Sequence, residues 1–302
     1  MDPIAGLFDH ILDLPNAHAR RRLEALIGLD PICSQLIKQA AILMHPTRLD
    51  GWSEQFHGSV LPAVQRARQR PPLVILGGDV GTGKTTLAET FADPLARAEQ
   101  IQICVMRLSL RTRGQGAAGE MTHRIGLAFD LVRDKARILP GVILVIDEAD
   151  ALAQSRELSA MHHEDRAGVN ALIRGIDTLV TSGLPVLTVM CTNRLDSLDP
   201  AVKRRAAEIF ELARPSEEQR RELLQVSLGG AGLTETQIAE LARKTGPRNG
   251  HDFGYTWSDL SDRLIPSAIL AAYPDRPLTY PLVVEHLELI TPTKPFARED
   301  ES

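Results

Sequence analysis

At 302 residues the chain can hold one large domain or two ordinary ones, and 43% apolar with 24% charged residues excludes a disordered or fibrous protein. A formal net charge of −5 argues against a broad nucleic-acid footprint, though not against a local basic patch. There is no signal-like N-terminus and no apolar run of bilayer length, so a cytoplasmic protein with no membrane partner is expected.

Residues 1–70 read mainly as helix, with apolar residues at helical spacing in 22–27 and 32–44. Gly28-Leu29-Asp30 precedes the second of these, with Pro31 suited to a helix start. Pro71-Pro72 leads into an apolar strand over 73–77. Gly78-Asp79-Val80-Gly81-Thr82-Gly83-Lys84-Thr85 then fits G-x-x-x-x-G-K-[ST], with Thr86 following, and this segment is assigned to a nucleoside triphosphate. The glycines let successive N–H groups turn toward phosphate oxygens, and the helix that follows adds its positive end. Lys84 reaches the β/γ-phosphates and the Thr85 hydroxyl is a ligand for Mg²⁺. That helix must end or bend at Pro94, which has no N–H to donate.

A strand over 101–108, a glycine-rich loop over 111–119, a helix to about 136 and a strand over 142–146 come next. A helix over 169–181 and strands over 186–190 and 208–212 complete a βα alternation. Continuous apolar strands separated by helices imply an α/β fold with a mostly parallel five-stranded sheet covered on both faces. From Pro215 the pattern is helical only, over 217–228, 234–244, 259–272 and 281–289. The expected organisation is therefore a helical segment or linker (1–70), an ATPase core (71–214), a small helical lid (215–291) and a polar tail (292–302). Cys104 and Cys191 fall in strand-like runs and Cys33 lies apart, so buried thiols are expected rather than disulfides.

The strand over 142–146 runs into Asp147-Glu148, and strand alternation predicts that the two carboxylates face opposite ways and take separate tasks. Asp147 holds Mg²⁺ and Glu148 orients or deprotonates the attacking water. At the next strand end Asn193, with Thr192 in reserve, contacts the γ-phosphate or that water. Arg204 and Arg205 follow. In a ring, either can serve the neighbouring subunit as an arginine finger. His162-His163-Glu164-Asp165 lacks the i, i+4 spacing that aims two histidines at one ion, and reads as a solvated loop.

With these motifs in place the chain resembles the AAA+ ATPases. The run from IDEAD through SRE to AGVNALIRGIDTLVTSGLPVLTVMCTNRLDSLDPAVKRRAAEIFELARP is similar to the pachytene-checkpoint branch, whose members remodel HORMA-domain proteins. Leu260-Ser261-Asp262-Arg263 resembles that branch's sensor-two segment, which implies that Arg263 contacts the γ-phosphate. The resemblance spans roughly 22–273. It implies a homohexamer and an adenine pocket lined near Gly28 and Leu29. Two pore loops follow from it, one over 111–121 with Arg113, Gly114, Gln115 and Gly116, and one with His162 and His163. The first has no aromatic residue, which suggests limited remodelling rather than processive threading. The short N-terminus resembles bacterial relatives found beside HORMA proteins in CBASS anti-phage systems. That implies a HORMA-domain partner, alone or with a CD-NTase cyclase, and no direct nucleic-acid ligand. An AAA+ helper acting on DNA and a nucleotide-gated scaffold are the competing readings.

Overall fold

The computed structural model describes residues 6–110, 120–152, 163–248 and 251–296. The chain divides into two compact units, one of Met1–Ala25, Pro31–Gly77 and Thr85–Glu211, the other of Leu26–Asp30, Gly78–Lys84 and Leu212–Ser302.

The first unit is built on a sheet. Its strands are β1 (Phe8–Leu14), β2 (Leu73–Gly78), β3 (Ile103–Leu108), β4 (Gly141–Ile146), β5 (Val186–Thr192) and β6 (Glu208–Leu212), in the order β1-β3-β4-β5-β2-β6. Neighbours β3–β4, β4–β5 and β5–β2 are parallel, so these strands all end along one edge. β4 and β5 are buried at every position, the mark of strands covered on both faces. Val142, Leu144 and Ile146 share a core with Ile125, Phe129 and Val132 of the helix Glu120–Ala136 and with Val169, Leu172 and Ile176 of the helix His163–Ser182.

The five expected strands are present, and a sixth corrects the helical reading of the N-terminal segment. β1 pairs antiparallel with β3, from Phe8 opposite Leu108 to Leu14 opposite Ile103. Its sequence gives little sign of this, because Asp9, His10, Ile11 and Asp13 are exposed and only Leu14 is fully buried. The pairing partner, not local periodicity, makes it a strand, and its charges suit an edge. Pro94 acts as expected. One helix stops at Thr90 and another starts at Asp93, with Pro94 in its first turn. The break leaves the buried Asp93 carboxylate free to accept the Asn16 N–H at 2.6 Å and to pair with Arg97. Cys104 and Cys191 are buried, and burial pushes the Cys104 thiol up to about 11. Trp52, on the helix Thr47–His57, is exposed.

The second unit is helical. Helices Glu217–Ser227 and Glu235–Lys244 each open on a capping box, Ser216 with Gln219 and Thr234 with Gln237. The helix expected over 259–272 is two pieces, a π-helical turn Asp259–Leu264 running into Ile265–Ala272. Pro266 has no N–H to give to Asp262, so the turn before it widens. With Tyr280–Leu289 these pieces enclose Leu224, Leu241, Tyr255, Leu260, Leu264 and Val283, and Trp257 is buried in the same core. Among the described residues no helix is long and apolar enough to cross a membrane.

Candidate nucleotide site

Between β2 and the helix Lys84–Thr90, the loop Gly78–Lys84 takes turns that only glycine accommodates. Gly78 and Gly81 have φ of 144° and 78°. A Cβ on Gly78 would lie 2.3 Å from the Leu212 carbonyl oxygen, and one on Gly81 2.6 Å from Thr256 Oγ1. Lys84 is 6% exposed, and its ammonium donates to the carbonyls of Gly78 (2.8 Å) and Asp79 (2.6 Å). Thr82 Oγ1 donates to the same Asp79 carbonyl at 2.9 Å. A buried ammonium in a cradle that a Cβ would fill fits a phosphate chain. Val80 projects to solvent and Thr86 is half-buried.

Residues from the helical segment hold this loop from two sides. The Ser258 N–H donates to the Gly81 carbonyl at 3.2 Å. Arg214, which the sequence reading overlooked, pairs through Nε with the Asp79 carboxylate at 2.6 Å. Gly28 (φ 78°) gives its carbonyl to Gln219, while Leu26 and Leu29 close on Gly83, within 3.0 and 3.4 Å of where its Cβ would be. The segment assigned to the adenine pocket thus adjoins the loop, and Leu29 supplies a buried apolar side chain to it.

The strand ends of the first unit carry the acidic groups. Thr85 Oγ1 donates to Asp147 Oδ2 at 3.0 Å. A hydroxyl and a carboxylate so paired are hard oxygen donors of the kind Mg²⁺ takes, so these residues fit the ion. The expectation that strand alternation separates Asp147 from Glu148 needs correcting. β4 stops at Ile146, and Glu148 is exposed with a left-handed φ of 50°, so a bend in the backbone turns it away. The Glu148 N–H donates to Asp147 Oδ1 at 3.0 Å, which fixes the two residues together.

Asp150, one turn further on, was not singled out from the sequence. Its Oδ1 accepts Thr192 Oγ1 at 2.9 Å and the Asn193 N–H at 3.2 Å. Thr192 is buried and also accepts the Arg194 N–H, so its hydroxyl is committed to structure. Asn193 is half-buried, and its side chain makes no hydrogen bond among the described residues. The two basic residues differ likewise. Arg205 is clamped by Asp177 at 2.6 and 3.0 Å and by the Ala201 carbonyl at 3.0 Å. Arg204 is exposed, and its side chain pairs with nothing among the described residues.

In the helical unit Arg263 is tied by Nη1 to Asp259 (2.7 Å) and to the Thr291 carbonyl (3.1 Å), so a contact with phosphate falls to its remaining N–H groups or needs this pair to open. Burial works against the Asp259 carboxylate, but hydrogen bonds from Thr256, Thr293 and Arg263 outweigh it and hold its pKa below the ordinary range. Of the expected pore-loop residues, Arg113, Gly114, Gln115, Gly116 and His162 lie outside the described residues. His163 begins the helix His163–Ser182, and its side chain lies outside them too. Among the described residues no group of three or more His, Cys, Asp or Glu side chains is arranged to hold a metal ion.

A phosphate loop after a central parallel strand, with Thr–Asp and Glu at adjoining positions and a helical unit following the sheet, defines the AAA class of ATPase. The family described as "ATPase family associated with various cellular activities (AAA)" matches residues 74–214. The chain is 49% identical, across 298 residues, to CD-NTase-associated protein 6 of Escherichia coli strain MS 115-1, covering 96% of each. It belongs to the CD-NTase-associated protein 6 family of AAA ATPases. A chain in the solved structure of an E. coli HORMA:CdnC:Trip13 complex superimposes with a TM-score of 0.92 at 48% identity, over 97% of this chain and 99% of that one. A solved Rhizobiales Trip13 matches with a TM-score of 0.75 at 43% identity, over 96% and 100%. The resemblance to the AAA+ class drawn from the motifs agrees with these likenesses.

Proposed function

We propose that the protein is a Mg²⁺-dependent, ring-forming ATPase, most simply a homohexamer in the cytoplasm. Its substrate is a HORMA-domain protein, alone or bound to a CD-NTase cyclase, and its effect is to switch a CBASS defence signal off. The observation that carries this is the likeness, over 97% of this chain, to the chain in the HORMA:CdnC:Trip13 complex, and the glycine cradle around Lys84 and the Thr85–Asp147 pair support it.

In this reading the loop Gly78–Lys84 binds the phosphates and Lys84 neutralises them, with the base against Gly28 and Leu29. Thr85 and Asp147 would hold Mg²⁺, which would supply positive charge to offset that of the phosphates. Glu148, exposed on its bend, takes the proton of the attacking water, and Asn193 positions that water or the γ-phosphate. Between the two basic candidates the unpaired Arg204 is the finger offered to the next subunit, and Arg205 is the residue that braces it through Asp177. Arg263 senses nucleotide by exchanging Asp259 for phosphate. Work on the substrate passes through the pore loops around Arg113–Gly116 and His162–His163.

The test is the ATPase rate as a function of protein concentration, with and without a HORMA-domain protein or duplex DNA. Cooperative turnover raised by the HORMA protein is the expected result. Stimulation by DNA alone would move the assignment to a DNA helper, and no turnover in any condition to a nucleotide-gated scaffold.

A further inference from the structure

Asp79 is an awkward residue to find in a phosphate loop. Its carbonyl already serves Lys84 and Thr82, so its carboxylate sits within one residue of the ammonium that meets the anion. An unmasked negative charge this near a polyanion weakens binding by about tenfold or more, since charges several ångströms apart in a partly desolvated site are poorly screened.

Arg214 is placed to cancel that charge. It follows β6 directly, and the β6 residue Leu212 is the one whose carbonyl crowds Gly78, so the chain here runs alongside the loop. Its guanidinium is immobilised on three sides. Nε meets Asp79 at 2.6 Å, Nη1 donates to the Gly254 carbonyl at 2.7 Å, and the group lies 5.0 Å over the Phe253 ring. Nη2 is buried and has no hydrogen-bond partner among the described residues. A pair optimised for stability alone would present two N–H groups to the carboxylate. Here only Nε meets the carboxylate.

We propose that Arg214 is the charge-masking, positioning residue of the nucleotide site: it neutralises Asp79 and fixes the loop, so that the triphosphate meets no uncompensated carboxylate. This rests on the assignment of the loop to ATP, but not on ring formation or on a HORMA partner.

The test is an equilibrium titration of the full chain with a fluorescent, non-hydrolysable ATP analogue at low and high salt. Arg214→Met should weaken binding about tenfold at low salt and less at high salt, as a bare charge requires. Asp79→Asn should tighten it about threefold. The double variant should return to within about threefold of the unaltered chain, and Arg214→Lys, which keeps the charge, should lose no more than that. A double variant as weak as Arg214→Met, or a loss indifferent to salt, overturns masking in favour of a purely structural role. If Arg214→Met does not fold, Arg214→Lys and Asp79→Asn decide: weaker binding by Asp79→Asn overturns the proposal. A chain that binds the analogue and obeys this cycle but hydrolyses no ATP sinks the proposed function alone, and one that binds no analogue sinks both.

Discussion

The two halves of the nucleotide machinery are held in different ways. At the strand ends, two side-chain pairs, Thr85 with Asp147 and Thr192 with Asp150, sit at or just past the ends of β4 and β5, strands that are buried throughout. The phosphate loop is instead held by later residues of the second unit, Arg214 on Asp79 and Ser258 on Gly81. Rigid strands suit groups that must be aimed within fractions of an ångström at a reacting phosphorus. A loop held by ion pairs and single hydrogen bonds to a helical unit can change its grip as ligand comes and goes. Residues of the first kind should govern turnover, and those of the second kind affinity.

The largest effect is expected at Arg204. Its alanine variant should lose about 10⁴ in kcat while binding ATP normally, with Arg205→Ala far milder, as steady-state kinetics on the assembled protein can show. Equal losses at both positions would mean that the brace and the finger are not separable. Glu148→Gln should cost about 10³ in kcat and again spare affinity; a matching drop in affinity would breach the division proposed here. Lys84→Ala belongs to the other half and should weaken nucleotide binding by about a hundredfold, the worth of one charge-assisted contact. Asp150→Ala leaves the buried Thr192 hydroxyl and the Asn193 N–H without their acceptor. About tenfold in kcat and a lowered unfolding temperature should follow, with the affinity kept.

The smallest effect concerns pH. Asp259 is held below the ordinary aspartate range, so it stabilises the helical unit above the unfolded value near pH 3.9, and that contribution disappears as pH falls through the lower folded value. Acid unfolding of the unaltered chain should therefore be steeper below about pH 4 than that of Asp259→Asn. Equal slopes would show that the hydrogen bonds from Thr256, Thr293 and Arg263 to the Asp259 carboxylate contribute nothing.

What could be read from the sequence was whatever is local. The phosphate loop, the break at Pro94, the helices over 217–228 and 234–244, and the carboxylates after β4 are each legible from neighbouring residues alone. What escaped depends on distant partners. β1 is a strand because of β3, roughly ninety residues on, and the Asp79–Arg214 pair joins residues 135 apart. Asp150 could have been found, since it lies just past the strand's own carboxylates. Its task is to hold the end of another strand, though, and no spacing rule expresses that. The left-handed Glu148 gave no sign either, because glutamate has no preference for that conformation.

The chain's two tryptophans fall one to each compact unit, Trp52 exposed and Trp257 buried. Their emission should separate by colour, a solvent-relaxed band from the first and a blue-shifted band from the second. Trp257 stands between Thr256 and Ser258, the two residues that touch Gly81 of the phosphate loop. The protein therefore carries its own optical gauge of nucleotide arrival, and a label-free stopped-flow trace of the blue band should time the loop's response before any phosphate is released.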